Sequence, residues 1–392
     1  MSQSGISVYP DLRPLAEIRE YFALAARYGF KRVFSSMFSV EGTNEEIVAY
    51  FRDLIASAHQ YDMEVSLDVN PAFLQKLGVS PEDLSLFADI KCDILRMDLS
   101  YGKEKDLILC QNPYGIKIQL NASMGIEEEL KYLKENGVDS SRLLLGHNFY
   151  PQRYTGLKWK SFIETNERLR PYGYPIDAFI ASHNKNTHGV WDARDGLPTV
   201  ERMRDYPADL AYRIMELLNV DCILFGNAYA SEEEFRMIEK VSKAPRPLES
   251  SPLYPMFRSF SAMLKNSRQT VLKVIPAEGI SEMERYLLFE WHPQMDFGDS
   301  SEWIWRSRTG RFGNENRAVV PRKEECEFFE KGDVVMVNDS YKHYSGEVQI
   351  VRLPIRNDGQ RNLVGKLAED ETDLLDLIHD GDIVTFVAAA QQ

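Results

Sequence analysis

The chain has little cysteine, no long apolar run and no excess of positive charge. Its four cysteines (Cys92, Cys110, Cys222 and Cys326) are scattered without a CxxC pair, so we expect free thiols and no zinc site. No apolar run reaches the ~18 residues that cross a membrane, and the first residues lack the basic and apolar regions of a signal peptide. We therefore expect a cytoplasmic protein with no membrane partner.

The net charge of −14 at pH 7 argues against a nucleic-acid partner, because proteins that bind phosphate backbones usually present a basic face. A small acidic ligand is still compatible with this charge, since such a ligand responds only to its local surroundings. The chain also lacks P-loop and dinucleotide-binding fingerprints, and Gly310 and Gly313 fit neither spacing. No cofactor is expected.

Strand-like apolar runs alternate with helix-like amphipathic segments over the first 240 or so residues. Thr43 with Glu46 predicts a capping box at one helix start, and Ser80 before Pro81 predicts another helix start. About eight such strand–helix units fit into this length, which is the count and size of a (β/α)8 TIM barrel. A chain of 392 residues leaves room for a second domain.

The pattern changes after Lys240. Residues 244–252 are rich in proline and serine and are typical of a linker. Short alternating strands separated by turns follow, as at 271–275 and 383–387. We therefore predict a TIM-barrel catalytic domain over residues 1–243 and a small β-rich barrel domain over residues 253–392.

Three of the predicted barrel strands carry a polar residue at every second position, although parallel barrel strands are usually apolar on both faces. Because successive side chains point to opposite faces, we predict that the polar set points into the barrel. A polar interior is costly unless it is hydrogen-bonded or solvated. The polar members are Glu64, Ser66, Asp68 and Asn70, then Arg96 and Asp98, then Lys117, Gln119 and Asn121.

The carboxyl ends of these strands hold two carboxylates. Asp68, Asp98 and Asn121 fall where barrel enzymes place their chemistry, so Asp68 and Asp98 are the candidate catalytic pair. A competing interpretation is an internal salt bridge of Arg96 with Asp98 or Glu64. The two interpretations can coexist.

The sixth predicted strand, 143–148, ends abruptly in polar and aromatic residues that include His147, Asn148 and Tyr150. A buried parallel strand has this appearance when its carboxyl end opens into a ligand site. A plain strand followed by a polar turn would look similar.

The loop after the seventh strand, 182–191, is rich in hydrogen-bonding groups. A metal site through His183 and His188 would need a third ligand, and the loop offers no convincing one. A binding loop for an acidic, polyhydroxylated ligand fits better, because barrels often bind phosphate around strands seven and eight.

Several segments resemble those of the bacterial 6-phospho-N-acetylmuramidases. The resemblance implies an amino-terminal TIM barrel and a cyclophilin-like β domain. It also implies cytosolic cleavage of N-acetylmuramic acid 6-phosphate–N-acetylglucosamine during cell-wall recycling. The segments are 5–9 (GISVY), 95–98 (LRMD), 120–123 (LNAS), 147–151 (HNFYP), 155–157 (TGL), 196–199 (GLPT) and 344–350 (YSGEVQI).

The ligand loops depart from the pattern of that family. Gln152 interrupts an expected Pro-Arg-Pro-Glu, His183 stands where an acid is usual, and Asn227 replaces an aspartate. The resemblance therefore predicts the fold and the reaction type of this chain better than it predicts the substrate.

The resemblance implies a glycoside hydrolase acting on a 6-phosphorylated amino sugar. Glycosidic cleavage needs a proton donor for the leaving oxygen and a carboxylate at the oxocarbenium-like centre, and Asp68 and Asp98 are the best pair. Which is the acid depends on which carboxyl is more desolvated. Candidates for binding the phosphate or lactyl carboxylate are Arg153, His183, Lys185 and Arg194. Further candidate substrate contacts are Tyr9, Arg96, Asn121, His147, Asn148, Tyr150, Asn227 and Glu347.

Two other functions stay open. A sugar-phosphate-binding protein without turnover would suit the altered loops, and saturable binding without product release would favour it. Another TIM-barrel sugar-phosphate enzyme, such as a metal-dependent epimerase or lyase, would lose its activity with a chelator. No oligomeric state is predicted.

Overall fold

The computed structural model describes residues 2–10, 13–37, 40–190, 193–243, 267–313 and 317–389. The chain divides into two compact units, Met1–Ser242 and Lys243–Gln392. The segment 244–252, interpreted above as a linker, lies outside the described residues. Among the described residues, no helix combines the length and the apolar character needed to cross a bilayer.

The first unit is a closed barrel of eight parallel strands arranged in sequence order, which confirms the predicted TIM barrel. Pairing of the first strand with the eighth, with Gln3 opposite Cys222, closes the sheet and leaves no open edge. The strands are β1 (Gln3–Ser7), β2 (Arg32–Ser36), β3 (Glu64–Val69), β4 (Ile94–Met97), β5 (Lys117–Asn121), β6 (Leu143–Gly146), β7 (Ile176–Ile180) and β8 (Cys222–Phe225).

The helices of this unit are α1 (Leu15–Arg27), α2 (Asn44–His59), α3 (Pro71–Lys76), α4 (Ser85–Asp89), α5 (Lys103–Cys110), α6 (Glu127–Glu135), α7 (Trp159–Leu169), α8 (Ala208–Leu217) and α9 (Glu232–Ser242). Short 3-10 helices lie at Arg170–Tyr172 and Glu201–Met203.

Helix α2 shows how local sequence sets these elements. The predicted capping box is present: the Glu46 amide donates to Thr43 Oγ1 at 3.2 Å, and the Thr43 amide donates to Glu46 Oε2 at 3.0 Å. Apolar residues then recur every three or four positions, so that one stripe of the helix is removed from water. The buried members of this stripe include Ile47, Phe51, Leu54 and Ile55.

The helix start predicted at Ser80 and Pro81 is wrong. These residues lie in a turn in which the Asp83 amide donates to the Ser80 carbonyl oxygen at 3.1 Å. Asp83 Oδ1 in turn accepts from the Ser85 amide at 2.9 Å, and α4 begins at Ser85. An aspartate two residues before a free amide can form such an Asx turn, and here it sets the helix start instead of the serine.

The second unit is rich in β structure, as predicted. Its strands are β9 (Gln269–Pro276), β10 (Gln294–Met295), β11 (Ile304–Ser307), β12 (Phe328–Phe329), β13 (Asp333–Val337), β14 (Val348–Val351), β15 (Ile355–Arg356), β16 (Arg361–Leu367) and β17 (Ile383–Ala388). Its helices are α10 (Glu282–Phe289), α11 (Gly310–Gly313) and α12 (Thr372–Leu375), with a 3-10 segment at Asp339–Tyr344.

Seven of these strands form one sheet in the order β10-β17-β9-β16-β13-β14-β11, and β12 pairs with β15. Strands β9 and β17 run parallel, and the other neighbours in the sheet are antiparallel. The two edge strands, β10 and β11, lie close together: the Met295 amide on β10 donates to Ser307 Oγ on β11 at 3.0 Å. The sheet is therefore nearly closed.

Candidate active site

Ion pairs fill the barrel interior near the amino ends of its strands. Arg32 donates to Asp177 Oδ2 and to Glu64 Oε2, both at 3.0 Å. Lys117 donates to Glu64 Oε1 at 2.8 Å, and Gln119 donates to Asp177 Oδ2 at 2.7 Å. We call these five residues the floor network. Because they belong to β2, β3, β5 and β7, their side chains can meet only inside the barrel, which confirms the predicted direction of the polar alternation.

A second polar cluster lies at the carboxyl ends of the strands. Arg96 donates from Nη1 to Asp68 Oδ1 and from Nη2 to Asn148 Oδ1, and its Nη1 lies 3.6 Å from Asp98 Oδ1. We call these four residues the strand-end cluster. The main partner of Arg96 is thus Asp68, with Asp98 at a longer distance. Glu64, the other expected partner, belongs to the floor network.

The two carboxylates of this cluster have different surroundings. Asp68 is 5% exposed, whereas the side chain of Asp98 is 35% exposed. Burial raises the pKa of Asp68 to about 6; the charge and hydrogen bond of Arg96 oppose this rise, and the charge of Asp98 adds to it. A buried carboxyl beside a better-solvated one is the arrangement by which enzymes separate an acid from an ionised carboxylate.

Two predicted residues support this cluster from its sides. Asn121 donates from Nδ2 to the Asp98 carbonyl oxygen at 3.1 Å and accepts from the Ser123 amide at 2.9 Å, so it holds the two strand ends together. Tyr9 is buried and donates to the Gly226 carbonyl oxygen. Burial raises the pKa of the Tyr9 hydroxyl far above its usual range, and the charges of Asp68 and Arg96 act on it from nearby.

His147 is fully buried behind the cluster, not in it. Burial lowers the pKa of its imidazole to about 4, so the ring is neutral at pH 7. Its Nε2 donates to Asn166 Oδ1 at 2.8 Å, which leaves Nδ1 to accept from Ser123 Oγ at 3.2 Å. Ser123 Oγ also accepts from the Asn148 amide at 3.0 Å. His147 therefore positions Asn148 through Ser123, and the structure does not bring it to a ligand-facing surface.

The loops after β6 and β7 enclose a cavity of about 230 Å³, which we call the cationic cavity. Its lining includes all four residues predicted to bind an anion, Arg153, His183, Lys185 and Arg194. His183 is held in place, because its Nε2 donates to the Arg204 carbonyl oxygen at 2.9 Å and its amide donates to Glu234 Oε1 at 2.7 Å. Loops that are distant in sequence thus gather positive side chains in an acidic protein.

Arg153 differs from the other cations of the cavity. Its Nη2 lies 2.8 Å from Asp195 and its Nη1 lies 2.6 Å from Asp205. Hydrogen bonds and charge from these two aspartates raise the pKa of its guanidinium still further. Arg153 therefore links the loop after β6 to residues that follow β7. Lys185 and Arg194 in the cavity lining are both exposed.

Arg204 organises the same loops and was missed at the level of sequence. It is 2% exposed and donates to the carbonyl oxygens of Asp195 at 2.8 Å, Gly196 at 2.9 Å and Tyr150 at 2.9 Å. Its hydrogen bonds to Glu201 lower the pKa of that carboxyl to about 2. Tyr150 is half-buried, and its backbone carbonyl is tied to the cavity through Arg204. The partners of Arg204 are mainly backbone carbonyl oxygens, and because every residue has a carbonyl, the sequence does not reveal such partners.

The remaining two predicted residues belong to neither cluster. Asn227 is fully buried, accepts from the Ser182 amide at 2.8 Å and donates to Thr187 Oγ1 at 2.7 Å, so it fixes the loop after β7. Glu347 is fully buried in the second unit. Within the described part of the chain, no three His, Cys, Asp or Glu side chains gather as they would around a metal ion.

An eight-stranded barrel with an ionisable cluster at the carboxyl ends of its strands has the architecture of a TIM-barrel enzyme. Comparison with family profiles identifies the family to which this barrel belongs. The amino-terminal profile of the 6-phospho-N-acetylmuramidases matches residues 4–240, and the carboxyl-terminal profile of the same family matches residues 270–387. The chain therefore belongs to the 6-phospho-N-acetylmuramidase family and is a glycosidase.

Two solved structures share the whole fold. An uncharacterized B. cereus protein is 32% identical with a TM-score of 0.82, and the match covers 99% of this chain and 100% of that one. A conserved Enterococcus faecalis protein with an unknown function is 23% identical with a TM-score of 0.66, covering 99% and 96% of the two chains. No curated protein gives a significant match.

Proposed function

We propose that the protein hydrolyses the disaccharide N-acetylmuramic acid 6-phosphate–N-acetylglucosamine in the cytoplasm, with Asp68 as the proton donor. The observation that supports this role is the contrast within the strand-end cluster. Asp68 is buried with a pKa of about 6, and Asp98 is partly exposed beside the same arginine. Glycoside hydrolysis needs this division between a carboxylic acid and a carboxylate.

In this mechanism the Asp68 carboxyl gives its proton to the glycosidic oxygen as the bond to the anomeric carbon breaks. Asp98 faces the positive charge that develops on the sugar, either stabilising it or attacking the anomeric carbon. A water molecule then adds to the anomeric carbon, displacing Asp98 if a covalent bond has formed, and gives one proton to the Asp68 carboxylate, which restores the acid. Arg96 already donates to Asp68, so it stabilises the carboxylate that proton transfer leaves behind. Asn148, which Arg96 also contacts, keeps the guanidinium in place.

We place the 6-phosphate in the cationic cavity. The cavity collects the cations Lys185 and Arg194 beside His183 in a protein whose net charge is −14, and this local positive charge would attract a dianionic group. The two aspartates that line it are already paired with Arg153, so their repulsion of a phosphate is reduced.

Mass spectrometry of the products tests this function. The full chain is incubated separately with the phosphorylated disaccharide and with its unphosphorylated form, and Asp68→Asn serves as the control. We expect N-acetylglucosamine and N-acetylmuramic acid 6-phosphate from the first substrate and much slower cleavage of the second. Saturable binding without any product would contradict hydrolysis and favour a binding protein, and equal cleavage of both forms would contradict the phosphate site.

A further inference from the structure

Two arginines of the second unit converge on one buried glutamate. Arg306 on β11 forms a bidentate pair with Glu347, from Nε to Oε1 at 2.7 Å and from Nη2 to Oε2 at 2.8 Å. Arg311 on α11 donates from Nε to Glu347 Oε2 at 3.0 Å and from Nη2 to the same oxygen. Glu347 has no solvent exposure, so both guanidiniums are held by an interior carboxylate.

The pair is held rigidly from a second side. Gln349 donates to Glu347 Oε1 at 2.9 Å and accepts from Arg361 Nε at 2.8 Å. The guanidinium carbons of Arg311 and Arg306 lie 4.1 Å and 5.7 Å from the centre of the Tyr344 ring. An arginine fixed by both a carboxylate and an aromatic face loses little freedom when it binds a further partner.

Charge among the described residues of this group is not balanced. Asp299 lies 3.6 Å from Arg306 and 3.4 Å from Arg308, so three guanidiniums share two carboxylates. The side chains of Arg306 and Arg311 keep 20% and 19% of their surface exposed. A structural ion pair would be complete with a single arginine on Glu347. The second arginine leaves a positive, partly solvated surface held in fixed geometry.

We propose that Arg306, Arg311 and Tyr344 form a binding site for the carboxylate or phosphate of a small ligand. Guanidinium groups bind both oxyanions through paired N–H donors. Tyr341, which is 49% exposed, lies 4.8 Å from Tyr344 between ring centres and extends an aromatic surface beside the charged groups. Glu347 is then a positioning residue that acts through the arginines. This site is independent of the hydrolysis proposed for the barrel, since it uses none of the barrel residues.

The test measures calorimetric binding of two probes, sodium D-lactate and inorganic phosphate, to the full chain. The variant is Arg311→Gln, and the matched control is Arg356→Gln, which makes the same charge change in an exposed arginine of the second unit that is paired with Glu327. Losing charge-assisted hydrogen bonds should weaken at least one probe about tenfold or more in Arg311→Gln. The control should change affinity by less than about twofold, as expected for an exposed pair.

Further variants separate the outcomes. Arg311→Lys keeps the charge without the paired donors, and we expect an intermediate loss of affinity. If Arg311→Gln does not fold, Tyr344→Leu removes the aromatic face while leaving the ion pairs, and it should also weaken binding. Preference for lactate or for phosphate identifies which oxyanion the site takes. Equal losses in Arg311→Gln and Arg356→Gln, or no saturable binding by the wild-type chain, would overturn the proposal. Neither probe is hydrolysed, so failure of the glycosidase activity would leave this result unaffected.

Discussion

The barrel contains two clusters of similar composition with different arrangements of charge. In the floor network two cations meet two carboxylates, so the charges balance. In the strand-end cluster a single arginine is shared by two carboxyl groups, Asp68 and Asp98. Side chains of the same types therefore form matched ion pairs near the amino ends of the strands and an arginine shared by two carboxyl groups at the carboxyl ends.

A raised pKa does not by itself distinguish the two clusters. Burial raises the pKa of Asp177 in the floor network to about 6, with Arg32 and Gln119 opposing the rise, and the pKa of Asp68 is raised to the same value. What differs is position. Asp68 lies at the carboxyl end of β3 beside a partly exposed carboxylate, whereas Asp177 is the second residue of β7.

The largest expected effect is on catalysis at the strand ends. Asp68→Asn keeps the volume of the side chain but removes its proton, so the rate should fall by about 10²–10⁴-fold while the fold survives. Kinetics and thermal melts on the same sample measure this. A folded and fully active variant would remove Asp68 from the mechanism. Activity that falls only as far as the folded fraction would mean that Asp68 is merely half of a salt bridge.

The floor network should respond in the opposite way. Arg32→Gln leaves Asp177 and Glu64 without their shared partner, and breaking a buried pair typically costs roughly 3–5 kcal/mol of stability. Denaturant unfolding measures this loss. Turnover per folded molecule should stay within about threefold of wild type, because the floor network lies away from the strand ends. A stable Arg32→Gln that has lost catalysis would break the distinction between the two clusters.

The pH dependence follows from the pKa of Asp68. A proton donor with a pKa of about 6 should give a kcat/KM that falls about tenfold per pH unit above that value. Folding stability changes in the same window. Since the folded pKa of Asp68 is raised above 3.8, its contribution to stability is complete below about pH 4 and is lost as the pH rises through about 6. Asp177 makes a similar contribution in wild type and Asp68→Asn, so the difference between their stability–pH curves isolates Asp68.

A smaller effect is expected in the cationic cavity. Lys185→Gln should raise KM for phosphorylated substrate about tenfold, the size of one lost charge-assisted hydrogen bond, and should leave unphosphorylated substrate unaffected. Lys160→Gln is the matched control, because Lys160 is 85% exposed on α7 and makes the same charge change. Equal weakening of both substrates would show that Lys185 does not contact the phosphate.

The local sequence pattern predicted the direction of the polar side chains in the barrel. It did not predict which residue pairs with Arg96, because that depends on how neighbouring strands align. Period-two alternation gave the inward polar faces, because side-chain direction in a strand is a local property. The partner of Arg96 depends on how β3 and β4 align, and their register places Asp68 directly opposite Arg96. The sequence suggested Asp98, which lies two positions from Arg96, or Glu64 as the partner, because the alignment of two strands leaves no local pattern.

The contacts of three other arginines could not be predicted from the sequence, because they too depend on the folded arrangement of distant segments. Arg204 bonds to backbone carbonyls of two loops, and such partners leave no pattern of residue types. Arg306 and Arg311 lie 41 and 36 positions from Glu347, so only the folded sheet brings them together. Glu347 was predicted to contact substrate; the structure places it in the interior of the second unit, where its carboxylate accepts from Arg306 and Arg311.

The most direct test of Asp68 as the proton donor compares two leaving groups. The rate loss of Asp68→Asn is measured on the natural disaccharide and on a dinitrophenyl glycoside of the same phosphorylated sugar, whose leaving group needs no proton. If Asp68 supplies that proton, the loss should be about 10²–10⁴-fold on the disaccharide and at least tenfold smaller on the activated glycoside. Equal losses on both substrates would show that Asp68 does not protonate the leaving oxygen.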